Sequence, residues 1–236
     1  MLSVIVPVYD ERESLPPLVE ELRAALRPLG TPYEIVLVDD GSTDGSERWV
    51  ADAARASKDV VAVLFERNAG QSAAFAAGFA HARGDVLVTI DGDGQNDPAD
   101  IPRLLEALER ADVVSGVRAD RRDDWKRRLS SRVANGVRRA VIGDHVTDIG
   151  CSLKAYRRAA VEGIPFFTTA HRFLAGLCEL RGARVVEIPV RHRPRAAGVS
   201  KYGMGNRLFR GIRDLFGVRW LRSRLLRYRV REVIHG

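Results

Sequence analysis

Asp91 and Asp93 stand two apart in the run Asp85-Val-Leu-Val-Thr-Ile-Asp-Gly-Asp-Gly-Gln-Asn-Asp-Pro98. With glycines at 92 and 94, their carboxylates can bring several oxygens to one point. That suits a hard divalent cation bridging phosphates. Taken alone, Asp-Gly-Asp reads first as an acidic turn facing water, so the choice depends on what else reaches the same place. The apolar run 86–90 predicts a buried strand that carries both acids to its carboxyl end, where open α/β sheets bind ligands. Two more apolar runs end in acids: 2–8 before Tyr9, Asp10 and Glu11, and 33–38 before Asp39 and Asp40.

The elements needed to gather these endings are legible. Strands are expected over 2–8, 33–38, 60–65, 86–90 and 112–117. Helices are expected from Ser14 with Pro16 and Pro17 in the first turn, from Ser42, Thr43 or Asp44 to about 56, over 72–83 up to Gly84, and from Pro98. Strand and helix alternating with short connections predict an α/β fold, a parallel sheet wrapped by helices. Parallel strands put the three acidic endings on one edge. The small residues of 72–83 predict a helix lying close against the sheet. Beyond 117 the pattern loosens: a basic loop and a helix from about 125, a bend and short strand in 146–156, a helix in 166–181, a strand in 184–192, and a Gly-rich basic loop over 193–205.

The chain has 236 residues, 45% of them hydrophobic, enough for one large domain or one domain with an appendage. The net charge of +7 hides an asymmetry. Residues 1–100 carry 8 Lys/Arg against 18 Asp/Glu; residues 101–236 carry 30 against 13. An acidic half suits cations, and a basic half suits phosphates, nucleic acid or an anionic membrane. Two cysteines, Cys151 and Cys178, make no disulfide framework and, with His171, read as packing residues. The first residues form a strand without a basic leader, and no apolar run approaches the ~20 residues that span a bilayer. The expected location is cytoplasmic, peripheral at the cytoplasmic membrane face.

Residues 206–236 read as a basic amphipathic tail, with nine arginines from Arg207 to Arg231 around Leu208, Ile212, Leu215, Phe216, Leu221, Leu225 and Tyr228. Such a helix lies in a membrane interface, or packs on its own domain or on a second copy in a homo-oligomer; both readings stay open.

Four motifs in order carry a resemblance. Ser3-Val-Ile-Val-Pro-Val-Tyr-Asp-Glu11, Val38-Asp-Asp-Gly-Ser-Thr-Asp-Gly45 and Asp91-Gly-Asp93 resemble the family 2 glycosyltransferases of the GT-A fold. Arg67-Asn-Ala-Gly-Gln71, Ala82-Arg-Gly-Asp85 and Gln95-Asn-Asp-Pro98 are similar to the dolichyl-phosphate mannose synthase branch. Gly150-Cys-Ser-Leu-Lys-Ala-Tyr-Arg-Arg158 and Gly198-Val-Ser-Lys-Tyr202 resemble its undecaprenyl-phosphate aminoarabinose transferases. The likeness covers roughly 2–216, giving a catalytic domain over 1–205.

The resemblance implies a metal-dependent, inverting transfer of a sugar from a nucleotide-sugar, UDP- rather than GDP-linked, to a polyprenyl phosphate. It places Pro7, Tyr9, Glu11, Val38, Asp39 and Asp40 at the nucleotide, and Asp91, Gly92 and Asp93 under the diphosphate. Asp93 and Gln95 would hold Mg²⁺ or Mn²⁺. Arg118 and Lys201 would face the donor, and Arg127, Arg195 and Ser200 the acceptor phosphate. Asp148 would stand near the reacting centre. Gly94 departs from relatives that carry a larger apolar residue there.

The chemistry fits these types. A polyprenyl phosphate is already anionic, so Asp148 reads as a positioning or proton-accepting residue, not an obligatory base. A metal offsets charge growing on the leaving diphosphate, and cations offset repulsion between two anions. The alternatives are a non-lipid glycan acceptor or a sugar nucleotidyltransferase, which would need a basic Gly-rich loop where Tyr9-Asp-Glu11 stands. A receiver-type signalling module leaves the basic half unexplained. A nucleic-acid binder has no use for the acidic edge, so nucleic acid is not an expected partner.

Overall fold

The computed structural model describes residues 1–119, 136, 138, 141–194, 205–224 and 232. Among them seven strands form one sheet: β1 (Leu2–Val8), β2 (Tyr33–Asp39), β3 (Val60–Leu64), β4 (Val86–Thr89), β5 (Val113–Arg118), β6 (Lys154–Arg157) and β7 (Val185–Val190). The order is β3-β2-β1-β4-β6-β5-β7. All pairings are parallel except those of β6, the short strand expected in 146–156, which lies antiparallel between β4 and β5.

The central strands are continuous apolar runs because both faces of the sheet are covered. Val4, Val6 and Val8 of β1 and Ile35 and Leu37 of β2 point into one core with α1 (Leu15–Leu26), α2 (Ser46–Ala56) and α4 (Ile101–Leu108). Ile5, Val36 and Val38 point into the other, with α3 (Gln71–His81) and α6 (Leu174–Leu180); a one-turn α5 (Arg158–Val161) follows β6. The close approach expected of α3 is present: a Cβ on Gly78 would stand 2.3 Å from Ile5 Cγ2. Helix α3 ends before Gly84, which is not its cap but lies against the main chain of Ser3. Ser14 makes no capping bond to α1; its hydroxyl donates to Gly92 O at 2.7 Å and so ties that helix start to the acidic turn.

At the opposite, N-terminal end of the strands, Glu34 is buried at 1% exposure. It accepts from Ser3 Oγ (2.6 Å), Arg83 N (2.6 Å) and Arg83 Nε (2.8 Å).

The tail forms α7 (Gly205–Arg224). Val218 is buried, with Leu215 and Leu221 against the second core. Thr169 Oγ1 donates to Asp214 at 2.7 Å, and Arg222 donates to Ile142 O at 2.7 Å. The other side shows Phe216 and Trp220, 64% and 63% exposed. One face thus packs on the domain while the other stays open. No helix among the described residues is long and apolar enough to cross a membrane.

Candidate active site

The carboxyl ends of β1, β2 and β4 meet at one edge, because β1 pairs in parallel with both neighbours, Val8 opposite Asp39 and Ile5 opposite Thr89. The loops there hold one another by side chain to main chain. Asp10 accepts from Thr43 N (2.7 Å), Ser42 Oγ accepts from Asp10 N (2.9 Å), and Ser46 Oγ accepts from Glu11 N (3.0 Å).

The acids on this edge are not equivalent. Asp40 accepts from Asn68 Nδ2 (2.9 Å), Ala69 N (2.7 Å) and Gly70 N (2.9 Å), which fixes the loop entering α3. Burial raises its carboxyl against those donors, and the charge of Asp39 adds to the rise. Asp39 accepts from Ser42 N at 3.0 Å, while its Oδ1 is buried with no hydrogen-bond partner among the described residues. An orphaned acceptor of this kind suits a hydroxyl or N–H donor. Val38 has its side chain fully buried in the second core, so only its main chain is offered at the strand end. Pro7, Tyr9 and Glu11 are half-buried at the end of β1.

Asp91 takes a hydrogen bond from Gln71 Nε2 at 2.7 Å. Its carboxyl is pushed up to about 6 by loss of water and then by the charge of Asp93; Lys154 and Arg118 act in the other direction. Gly92 lets the turn press on β1, since a Cβ there would stand 3.0 Å from Pro7 O. Gly94 has φ +72 and open space around it. Its departure from relatives therefore suits a left-handed turn and removes no ligand. Asp93 Oδ1 accepts from Gln95 N at 3.1 Å. Gln95 Nε2 points to Arg193 O at 3.5 Å.

These residues fit a hard divalent cation. Two carboxylates stand two residues apart, one of them raised by burial and then by the other's charge, and an amide side chain follows two residues on. No cluster of three or more His, Cys, Asp or Glu side chains occurs among the described residues, so such an ion would complete its sphere from ligand or water.

On the basic side Arg118, at the end of β5, and Asp148 face each other as a fork: Nε to Oδ2 at 2.8 Å and Nη2 to Oδ1 at 2.7 Å. Burial works against the guanidinium charge, but Asp148 outweighs it and the pKa of Arg118 is raised. Glu187 of β7 sets this loop by accepting from Thr147 N and Oγ1, each at 2.7 Å. Both oxygens of Asp148 are engaged by donors, which favours orienting Arg118 over accepting a proton.

Several residues at the edge carry no clear signal in the sequence. Lys154 on β6 is 2% exposed, donates to Cys151 O and has its pKa lowered by burial. Arg191 and Arg193 bind Asp97 at 3.0 and 2.8 Å, and Arg193 N donates to Gln95 O at 2.8 Å. The acidic loop is thereby pinned to the strand end that leads toward Arg195. Gln71 and Lys154 lie inside quoted motifs, the signal that could have singled them out. Cys151 and Cys178 are buried thiols, Cys178 pushed up to about 12, as packing residues should be. His171, by contrast, is half-buried beside a cavity, with Nδ1 2.7 Å from Ser72 Oγ. Arg127, Arg195, Ser200 and Lys201 lie outside the described residues.

Comparison with known proteins bears on the fold and the family. The chain is 44% identical over 205 residues to the undecaprenyl-phosphate 4-deoxy-4-formamido-L-arabinose transferase of Edwardsiella ictaluri, covering 86% of this chain and 63% of that protein's length. In fold it resembles glucosyl-3-phosphoglycerate synthase of Mycobacterium tuberculosis, solved with Mn²⁺, UDP and phosphoglyceric acid: TM-score 0.71, 18% identity, 96% of this chain and 80% of that one. It also resembles the mannosyltransferase PcManGT of Pyrobaculum calidifontis, solved with GDP-Man and Mn²⁺: TM-score 0.61, 23% identity, 94% and 63%. The model of glycosyl transferase family 2 matches residues 3–164, and the chain belongs to that family.

Proposed function

We propose that this chain transfers a sugar from a UDP-sugar to a polyprenyl phosphate with inversion at the sugar carbon. One observation carries the reading: the paired acids Asp91 and Asp93, buried Lys154 and half-buried Arg118 share one sheet edge. Such an edge can hold a cationic cluster against one diphosphate while a second anion approaches. The identity to an undecaprenyl-phosphate sugar transferase supports a polyprenyl acceptor, and the motif likeness supports UDP.

In this reading an acceptor phosphate oxygen bonds to the anomeric carbon as the bond to the diphosphate breaks, its electron pair leaving with the nucleotide. Asp39 binds the nucleoside. Asp93 and Gln95 would hold Mg²⁺ or Mn²⁺, which would supply charge stabilisation to the leaving diphosphate. Asp91, oriented by Gln71, faces the donor, and Arg118, held in its fork by Asp148, meets phosphate. Arg127, Arg195, Ser200 and Lys201 remain expectations for the phosphates, from the motif resemblance. Phe216 and Trp220, with Arg219 between them, lie at the bilayer interface and bring the edge to a lipid substrate. Replacing both aromatics by serine is expected to weaken vesicle flotation.

Screening UDP- and GDP-sugars with undecaprenyl phosphate and Mn²⁺ tests the reaction. A lipid-linked sugar with a UDP donor is expected. Transfer to a protein or glycan acceptor with no lipid product from any donor would overturn it.

A further inference from the structure

Two cavities meet where α3 begins. The smaller, about 100 Å³, contains Asp91 and Lys154; the larger, about 570 Å³, runs between Ala73 and Ala76 of α3 and the pair Phe166 and Phe167. Gln71, His171 and Arg172 line both, so the two adjoin. Burial and the nearby charge of Arg172 push His171 down to about 3, which keeps its ring neutral. Arg172 is therefore the cation at the junction. Thr169 and Asp214, joined at 2.7 Å, line the larger cavity where it reaches α7.

We propose that the larger cavity receives the first prenyl units of the acceptor and that Arg172 binds its phosphate, an inference that rests on the acceptor reading above. A polyprenyl phosphate has a charged head followed at once by a branched apolar chain. It needs a cation with an apolar trough on one side and the sugar on the other. That order is present: Asp91, Gln71, Arg172, Phe166 and Phe167, then Asp214 of the tail helix. The volume lies in the range of small-molecule sites, about 300–1,000 Å³, and so suits the proximal units alone, the remainder of the chain staying in lipid. Phe166 and Phe167 pack on the second core and make one wall of the cavity apolar.

The test is photolabelling of the full chain with undecaprenyl phosphate carrying a diazirine in its first prenyl units, followed by peptide mapping. Labels within 71–76 and 166–172 are expected. Labels confined elsewhere, with transfer intact, overturn the groove and leave the acceptor reading standing. Loss of both labelling and transfer, with UDP-sugar still protecting against thermal unfolding, overturns both. In kinetics, Arg172→Ala should raise KM for the polyprenyl phosphate about tenfold, as losing a bond to a charged group does, and Ala73→Trp should raise it by filling the cavity, with donor KM unchanged in both. An unchanged acceptor KM in both variants rejects the site.

Discussion

Glu34 and Asp91 are acids at opposite ends of the same sheet, and the protein treats them in opposite ways. Glu34 accepts from Ser3 Oγ, Arg83 N and Arg83 Nε and forms an ion pair with Arg83 at 2.7 Å. Burial acts to raise its carboxyl, but Ser3 and Arg83 win and its pKa is lowered. Asp91 takes a donor from Gln71 and sits beside a second acid, and its carboxyl is pushed up to about 6. The first charge is satisfied within the fold. The second is held uncomfortable, as acids that await a cation are. Position relative to the strand ends, not residue type, separates a structural carboxylate from a candidate functional one.

The largest expected effect falls on the acid edge. Asp93→Asn keeps an acceptor for Gln95 N but loses the charge, so transfer should fall about 10³-fold with the melting temperature nearly unchanged. Steady-state rates at saturating Mn²⁺ check this. Equal loss of stability would make Asp93 a second Glu34 and collapse the comparison.

Glu34→Ala should do the reverse. It leaves Ser3 and Arg83 N without their acceptor and is expected to cost about 2–3 kcal/mol, because Arg83 is exposed enough to rehydrate. The rate per folded molecule should hold. Glu34 has a lowered folded pKa, so its contribution is present above its ordinary 4.5 and is lost as pH falls through the lowered value. Urea melts of parent and variant should therefore converge in acid.

How far the sequence reaches follows the same division. The acidic strand ends, their shared edge, α3 against the sheet and the tail helix were legible, because periodicity and strand direction are written along the chain. The partners of each acid were not. Glu34 stands in an apolar strand with nothing nearby to mark Ser3 and Arg83 as its donors. The −10 and +17 halves suggest separate charged regions, yet Arg193 bridges back to Glu21 and Asp97, and Arg191 to Asp97 and Asp100. Pairing across about a hundred residues depends on the sheet order, and β6 entering antiparallel is a feature of tertiary packing. The Arg118–Asp148 fork has the same origin: two expected site residues that the fold spends on each other.

That fork gives a smaller effect. Arg118→Lys keeps the charge but loses the two-pronged bond, and transfer should drop about tenfold. Adding Asp148→Asn should cost little more if Asp148 acts through Arg118, and a double-mutant cycle measures it. Additive losses would return Asp148 to a direct part in proton transfer.

The smallest effect is the sharpest check on Asp91. Its folded pKa of about 6 lies above the ordinary 3.8, so the ionised form is the one the fold disfavours. The penalty is absent at pH below 3.8, grows as pH rises, and is complete above about 6. Asp91→Asn should therefore raise the melting temperature of the metal-free protein at pH 7.5 by about 2–4 °C, as 1 kcal/mol does in a chain of this length. The gain should vanish near pH 4 and shrink when Mn²⁺ is added to the parent, because a bound cation removes the same repulsion. A variant less stable than its parent at pH 7.5 in chelator would place Asp91 with Glu34, among the carboxylates the fold needs.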